Sequence, residues 1–438
     1  MVVIAVFCLK AGSMETLRRI ALIYVGFILY VAAFSLFDRE FRLQNALIAL
    51  VTYGALTVIC VIPSRGLAGS VLNDKIAKAV TVILIIEALV GIFQSVAQFI
   101  VSGSFDLGNG DHVQGTINPS LDADFAFANP MFAVNVAMLL LYLWSVRPKR
   151  GSWRMAAMGL GVVVLVLASV LHLTILAIVA VSLGSLFGMT GRKALVYLGR
   201  AVVVSAAGVF ILGVLMPRNM ASFAVIYESF SSGRNLRVKM VERALLDMPA
   251  DYAQLPIVGL GLGQFNSRAA LMSTGRYFVS GRGQATDLLP VTEMSPAQDL
   301  YFRDLWESSM ADTTYSSVTK PFFSWLSIYT ELGGVGLIAV VTVFCVILRG
   351  IWRNRWKNPR LAIAAAVGTL LFAFLGSQEN YWEVPQAILV GLMLLKLIHA
   401  NLLAGVSRPP GLKMDVRLVT PQMMVPSSRG VVPSLAVR

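Results

Sequence analysis

The sequence predicts an all-α polytopic membrane protein with one large extracytoplasmic loop. Hydrophobic residues make up 57% of the 438 positions and charged residues only 13%. A water-soluble domain of this composition would expose large apolar patches. The apolar residues also occur in runs of the length that a membrane-spanning helix needs, which is roughly 20 residues. Both observations favour the bilayer as the solvent for most of this chain.

The apolar runs predict about ten transmembrane helices. They lie at residues 20–37, 46–62, 76–101, 125–146, 155–170, 173–188, 201–216, 321–348, 361–377 and 385–404. Residues 1–9 are also apolar but too short to span, and we expect them to be the remnant of an eleventh helix. The predicted division of the chain is N-terminal membrane helices (1–216), a large loop (217–320), C-terminal membrane helices (321–404) and a Pro-rich, disordered tail (405–438).

Basic residues in the short loops predict which side of the membrane each loop occupies, because cationic side chains resist translocation. They cluster at residues 147–154, 189–200 and 349–360 and in the tail after 404. All four segments fall on one side if ten helices are counted, so that side, with the C-terminus, is predicted to be cytoplasmic. The net charge of +13 reflects these orientation signals, which disfavours a nucleic-acid partner.

The cysteines and histidines favour neither a disulfide framework nor a metal centre. Three of each occur, the cysteines within apolar runs and the histidines far apart in the chain. They are Cys8, Cys60, Cys345, His112, His172 and His399. Their positions do not have the paired-ligand spacing of metal sites. We therefore predict no metal and no cofactor.

The first part of the large loop predicts a cationic helix from about Ser231–Gly233 to Met248, ahead of Pro249. Its apolar face comprises Leu236, Met240, Val241, Ala244, Leu245 and Met248. Arg237 falls in the middle of that face, where a guanidinium needs an anion or another partner. One interpretation is a phosphate-binding arginine near the membrane, with Arg234 one turn before it. The other is that Arg237 snorkels or pairs with an acidic residue of the same loop, such as Asp299 or Asp304.

Alternating glycines follow this helix at Gly259, Gly261 and Gly263. The spacing is not that of a dinucleotide-binding loop, and no βαβ pattern surrounds it. Glycines in such a series permit a tight backbone close to the membrane or to a bulky ligand. Arg268 comes next in the chain and is a further phosphate-binding candidate, unless it is merely solvated.

These motifs together resemble the O-antigen ligase and polymerase superfamily. The residues that carry the resemblance are Ser232-Gly233-Arg234, Pro249, Gly259-x-Gly261-x-Gly263-Gln-Phe265, Pro321-Phe-Phe-Ser-Trp325-Leu326 and Glu331-Leu332-Gly333. Two further segments are similar to helical and outer-turn segments of that family, Glu87 to Gln94 and Glu379 to Pro385. The likeness touches most of the chain, although each motif is short.

The resemblance implies a GT-C-like integral membrane glycosyltransferase of the bacterial inner membrane. Such an enzyme would be a polysaccharide polymerase or ligase, moving a glycan from an undecaprenyl-diphosphate-linked donor to an acceptor hydroxyl at the outer face, without metal. The implied partners are the lipid-linked oligosaccharide, membrane lipid and envelope polysaccharide assembly proteins. Arg234 matches the family arginine, whereas the role of Arg237 rests on the helical-face argument alone.

The chain departs from the family pattern at two places. The family's His-Asn pair falls at Phe322 and Phe323, so the expected base is missing. A Ser-Arg turn of the family aligns with Leu171-His172, which makes His172 a candidate base or diphosphate contact. The alternative is a satisfied histidine at a turn or helix interface. Glu331, near the start of its helix, is the other candidate base, although an acidic residue there is also stabilised by the helix N-terminus.

Glu87 lies within a predicted span, and an ionisable group at that depth is a functional candidate. The rival explanation is a hydrogen bond to Gln94 or to a neighbouring helix. Two other functions stay open for the whole chain. One is a polytopic transporter of envelope glycan or lipid precursors, although paired, interrupted helices typical of transporters are not evident. The other is a non-catalytic family member that acts as a structural partner.

Overall fold

The computed structural model describes residues 14–38, 40–61, 67–103, 112–118, 128–146, 151–189, 217–273, 293–311 and 320–405, with a few single positions between 196 and 214. Within these ranges the chain forms helices joined by turns, and no strand occurs in them. The predicted helical class is therefore confirmed.

The helices that precede the large loop correspond to the predicted apolar runs. They are α1 (Met14–Phe37), α2 (Leu43–Val61), α3 (Ser70–Ser102), α4 (Ala128–Ser145), α5 (Trp153–Leu167) and α6 (Leu171–Ser185). The predicted run at 201–216 lies largely outside the described residues.

The large loop contains short helices. They are α7 (Pro217–Ser231), α8 (Leu236–Glu242), a π-helical turn (Arg243–Asp247), α9 (Met248–Asp251), α10 (Leu255–Val258), α11 (Arg268–Met272), α12 (Pro296–Tyr301) and α13 (Arg303–Ala311). After the loop come α14 (Ser324–Asn354), α15 (Pro359–Leu375), a 3₁₀ turn (Tyr381–Glu383) and α16 (Pro385–Leu403).

Among the described residues, five helical segments are long and apolar enough to cross a membrane. They are Arg18–Phe37, Leu72–Ser102, Ala128–Ser145, Ser324–Asn354 and Pro385–Leu403. Shorter apolar helices occur at Trp153–Leu167, His172–Ser185 and Pro359–Leu375. This pattern supports a helical membrane protein, while the total of ten spans stays a prediction.

The membrane helices pack around α15, which is buried on nearly all of its circumference. Small residues allow close approach, as Ala362, Ala364, Ala365 and Ala366 of α15 are fully buried. Gly184 of α6 leaves room for the α15 backbone, since a Cβ on Gly184 would lie 2.8 Å from the Val367 backbone nitrogen of α15. Small residues at helix contacts are typical of membrane bundles, where no hydrophobic effect drives helices together.

Contacts sort the short loops into two ends of the bundle. At one end, Arg154 before α5 forms an ion pair with Asp74 at the start of α3, with 2.6 Å between nitrogen and oxygen. The Asn73 amide donates to the Asn401 side chain at 2.8 Å, which brings the end of α16 to the same place, and there the Lys357 ammonium donates to the Leu403 carbonyl at 3.2 Å. These loops are among the basic segments that were predicted to share one side.

The opposite end carries the large loop and is called the loop end below. There Arg42, between α1 and α2, forms an ion pair with Glu293 of the large loop at 3.3 Å. Ser324, at the start of α14, donates from its backbone to the Glu379 carbonyl at 3.2 Å. These contacts place the segments before α2 and before α14 at the end of the large loop, while the alternation over ten spans stays a prediction.

The large loop has its own hydrophobic core beside the bundle. Its buried members include Leu236, Met240, Ala244, Met248, Leu255, Leu260, Phe265, Leu271, Phe302, Trp306, Phe322 and Leu326. Aromatic rings pack at its centre, with the Phe302 and Trp306 ring centroids 6.0 Å apart. This core fixes the loop against the start of α14.

The predicted helix 231–248 is wrong at both ends. Gly233 has a φ of 66° and separates α7 from α8, whose cap is Asn235; its side chain accepts from the Arg237 and Val238 backbones. The helical path continues past Pro249, because a π-helical turn directly before it widens the helix where the proline lacks an N–H. The same turn leaves Leu245 half exposed, although the helical pattern had placed it on the apolar face.

Candidate functional site

The predicted site residues lie at the loop end but in separate places. Arg237 and His172 belong to one cluster, together with Lys320. Glu331 and the three glycines form a second cluster, beside which Arg268 lies. Arg234 lies on the surface turn between α7 and α8.

Arg237 joins the large loop to the turn after α15. Its guanidinium donates to the carbonyls of Lys320 at 3.2 Å, Ser377 at 2.5 Å and Gln378. It also lies over the Phe323 ring, 4.9 Å from the centroid. Burial lowers the pKa of Arg237 to about 10, while the carboxylate of Glu379 opposes that change. The predicted partners Asp304 and Asp299 pair instead with Arg243 and Arg303, so the acidic-partner interpretation is wrong for those two residues.

His172 lies in the first turn of α6, directly after the turn that ends α5. It is close enough to Arg237 and Lys320 for both charges to act on it. Lys320 in turn forms an ion pair with Glu379 at 3.2 Å, and the lysine side chain is 20% exposed against 5% for the glutamate. The cluster therefore combines two cations, one carboxylate and an imidazole at the loop end.

Phe322 and Phe323 occupy the positions at which the resembled family has His-Asn. Phe322 is buried in the core of the large loop, whereas Phe323 faces Arg237. The Gln378 side-chain oxygen nearby is buried without a hydrogen-bond partner among the described residues. A buried acceptor of this kind is available to a hydroxyl or amide donor of a ligand.

Arg234 is exposed and forms an ion pair with Glu228 at 2.9 Å, with both side chains about two-thirds exposed. Its Nε donates to the Ser232 hydroxyl at 3.0 Å. An exposed pair of this kind holds weakly in water, because solvent screens both charges. The Arg234 guanidinium can therefore release Glu228 and bind an anion of higher charge, such as a diphosphate.

Glu331 of α14 anchors the glycine turn, residues 259–263, through hydrogen bonds to its backbone. Its carboxylate accepts backbone N–H bonds from Gly263 at 2.7 Å, Phe265 at 3.2 Å and Ser267 at 3.1 Å. Its backbone carbonyl accepts from Gly261 at 3.0 Å. The side chain is 1% exposed, so the oxygens that a base would use are occupied by the fold.

The glycines are required by the closeness of neighbouring backbones. Gly259 and Gly263 have φ values of 79° and 74°. A Cβ on Gly259 would overlap the Glu331 backbone, and one on Gly263 would overlap the carbonyl of Asn45 in α2. The turn is thus inserted between α2 and α14, which agrees with the predicted need for a tight backbone.

Arg268 lies beside a second buried carboxylate, Glu383. The Arg268 backbone N–H donates to that carboxylate, and its guanidinium charge acts on it. Tyr53 of α2 also hydrogen-bonds to Glu383. Burial and the neighbouring Glu331 carboxylate raise the pKa of Glu383 to about 8. Arg268 therefore favours the ionised form of Glu383, against the larger opposing effect of burial.

Glu87 and Gln94 hold the segment 112–118 against α3. Glu87 accepts from the Thr116 backbone at 2.9 Å and from its hydroxyl at 2.5 Å. Gln94 accepts from the Gln114 and Gly115 backbones, both at 2.8 Å. Glu87 and Gln94 therefore bind the same segment, 112–118, in place of the direct hydrogen bond between them that was the rival explanation.

Sequence reasoning missed Lys320, Glu379 and Glu383. Lys320 directly precedes the Pro321 motif, and both glutamates lie in the segment that resembles the family's last outer turn. Those positions were available as signals, but the contacts are long-range: Lys320 pairs with Glu379, and Glu383 accepts from Arg268, which is 115 positions away. Within the described ranges, no three His, Cys, Asp or Glu side chains are grouped so that they could hold a metal ion.

No family model matches this chain, and no curated protein matches it either.

Proposed function

We propose that this protein transfers a glycan from an undecaprenyl-diphosphate-linked donor to an acceptor hydroxyl at the loop end of the membrane helices. The proposal places a GT-C-like enzyme with about ten spans in a bacterial inner membrane, with the C-terminus cytoplasmic. The observation that carries it is the grouping of Arg237, Lys320 and His172 where a membrane-bound donor would present its headgroup.

In the proposed reaction, the acceptor hydroxyl oxygen attacks C1 of the donor sugar, and the bond from C1 to the diphosphate oxygen breaks. The leaving diphosphate gains negative charge, which fixed cations stabilise strongly in a poorly hydrated site. Lys320 supplies a mobile cation, since the diphosphate can displace Glu379 from its ammonium. Arg237 holds the surrounding carbonyls in place and adds its charge. Arg234 extends the cationic surface toward the solvent.

The acceptor proton needs a base near the same cations. His172 is the candidate that lies in this cluster, where Arg237 and Lys320 weaken it as a base until the leaving diphosphate offsets their charge. A neutral imidazole can take the proton as the new glycosidic bond forms. Glu331 is then assigned to position the glycine turn, because its carboxylate already accepts three backbone N–H bonds.

The test measures release of undecaprenyl diphosphate, because that product forms whichever acceptor is used. Purified protein in lipid nanodiscs is supplied with undecaprenyl-diphosphate-linked oligosaccharide extracted from the host membrane. Lys320→Ala and His172→Ala should each lower the release rate by about 10²-fold, the usual effect of losing a charge-stabilising group or a base. Lys78→Ala is the matched control, since Lys78 pairs with Asp74 at the opposite end.

Unchanged release in both variants would reject the assigned site, and absence of release by the wild-type protein would reject glycan transfer. A polymerase and a ligase are distinguished in cells that lack the protein. Loss of a polymerase leaves single lipid-linked repeat units, whereas loss of a ligase leaves lipid-linked polymer.

A structural role without catalysis is the second candidate. It is favoured by the two residues at the positions where the resembled family has His-Asn. Phe322 is a core residue of the large loop, and Phe323 packs against Arg237. In that case, deletion would change envelope polysaccharide while the purified protein releases no undecaprenyl diphosphate.

A further inference from the structure

The helix α14 changes its surroundings abruptly at Gly333, where the backbone has φ 66° and ψ −167° inside an otherwise continuous helix. Before this kink, Leu326, Ile328 and Glu331 are each at most 5% exposed. After it, Val335 and Ile338 are 60% and 68% exposed. An apolar helix face that is exposed from this point onward is a lipid-facing surface in a membrane protein.

The short helix α10 of the large loop packs directly on the kink. The Ile257 carbonyl and the Val258 backbone leave no space for a side chain at Gly333. A Cβ on Gly334 would lie 2.8 Å from the Pro256 carbonyl oxygen. The helix α10 is therefore level with the first lipid-facing turn of α14.

A second helix locates α10 at the same depth. The Tyr30 hydroxyl of α1 donates to the Val258 carbonyl at 3.2 Å and to the Glu331 carbonyl at 2.9 Å. Tyr30 precedes Phe37, the last residue of α1, by seven positions. At 1.5 Å per residue, its Cα lies about 10 Å below the end of that helix. Val258 is thus held below the rim of the bundle, although it belongs to the large loop.

The residues of α10 suit a hydrocarbon environment. Ile257 is 64% exposed and Val258 is 38% exposed, and the Ile257 carbonyl lies against Gly333, two residues before the exposed Val335. The backbone N–H groups of Ile257 and Val258 both donate to the Gln254 carbonyl, at 3.1 and 2.9 Å, and Pro256 has no N–H. The N–H groups of this stretch are therefore all paired, and pairing of backbone polar groups is the condition for immersion in lipid.

We infer that α10 is immersed among the acyl chains of the bilayer leaflet on the loop side, where it extends the lipid-facing surface of α14. The large loop then has two parts: a domain in water and a re-entrant element that contacts lipid through Ile257. This inference rests on the contacts with α1 and α14 and is independent of the proposed glycan transfer.

The experiment places a nitroxide spin label at Ile257→Cys in full-length protein reconstituted into phospholipid nanodiscs. Collision with oxygen, which partitions into lipid, is compared with collision with a water-soluble nickel chelate. Cys345, a free and exposed cysteine of α14, provides the lipid reference when it is retained alone. Ser232→Cys, on the exposed turn after α7, provides the water reference. The other native cysteines are replaced by alanine in each sample.

An oxygen-to-nickel collision ratio at position 257 closer to that of Cys345 than to that of Ser232→Cys supports the inference. A ratio closer to that of Ser232→Cys overturns it. If Ile257→Cys does not give a monodisperse protein, Val258→Cys reports on the same helix with the same two references.

Discussion

Removing the Glu331 carboxylate should destabilise the protein according to the number of backbone N–H groups left without an acceptor. In Glu331→Ala, the amides of Gly263, Phe265 and Ser267 lose an acceptor that they now reach at 2.7, 3.2 and 3.1 Å. Each buried donor without a partner costs about 1–3 kcal/mol, so the three together cost about 3–9 kcal/mol. Water admitted into the space left by the side chain brings the loss toward the lower value.

Glu331→Gln should have a smaller effect on the same scale. Its single oxygen can still accept from Phe265 and Ser267, while its amide nitrogen would face the Gly263 N–H, which is also a donor. One acceptor is lost, and the expected cost is about 1–3 kcal/mol. Glu242→Gln is the matched control, because Glu242 is exposed and surface changes of this kind usually stay within about 0.5 kcal/mol.

The assay is thermal unfolding of the purified protein in lipid nanodiscs, followed by the fluorescence of its seven tryptophans. The expected order of midpoints is wild type equal to Glu242→Gln, then Glu331→Gln, then Glu331→Ala. Wild-type midpoints for both Glu331 variants would refute the anchoring role. If those variants also lost undecaprenyl diphosphate release, Glu331 would be assigned to the chemistry after all.

Three further predictions concern the same end of the molecule. Gly263→Ala should lower the thermal midpoint, because φ is 74° and a Cβ would overlap an α2 carbonyl, whereas Gly26→Ala, with no atom within 4 Å of its Cβ, should not. Glu383 has a pKa raised by burial from 4.5 to about 8, so its contribution to stability is full below pH 4.5 and is lost as pH rises through 8. Glu383→Gln should reduce the fall in midpoint over that window, and an unchanged pH profile would contradict it. The hydrogen bond from Arg243 lowers the pKa of Asp304, so stability should be lost as the solution is acidified below the ordinary aspartate pKa of 3.8, by less than about 1 kcal/mol for this half-exposed pair. Asp304→Asn should remove that acid-dependent part in the same unfolding assay.

Local sequence patterns were sufficient for the helical class. An apolar run either is or is not long enough to span hydrocarbon, and basic residues in short loops mark the loops that share a side. The contacts Arg154–Asp74 and Arg42–Glu293 each join two loops that the helix count places on the same side, while which side that is stays a prediction. The glycine series was also correctly taken to be a tight turn, because its backbone requirement is local.

The helix of the large loop was predicted less well for a physical reason. A regular 100° pattern assumes one kind of helix, but the π-helical turn at Arg243–Asp247 shifts the faces and leaves Leu245 exposed. The proline at position 249 favoured a helix end, yet the wider turn before it accommodates the ring. Propensity alone could not choose between these outcomes, because Ala244 and Met248 are buried in the core of the large loop by residues distant in sequence.

The sequence by itself determined that this chain is a helical membrane protein with a large loop, because hydrophobic length and charge are properties of consecutive residues. Only the tertiary structure decided what the polar residues of that loop contact. It assigned Glu331 to three backbone amides, Arg237 to carbonyls across the loop end, and Lys320 to Glu379. These partners are separated by about 60 to 140 positions, and a buried charge takes whichever partner the fold brings within hydrogen-bond distance.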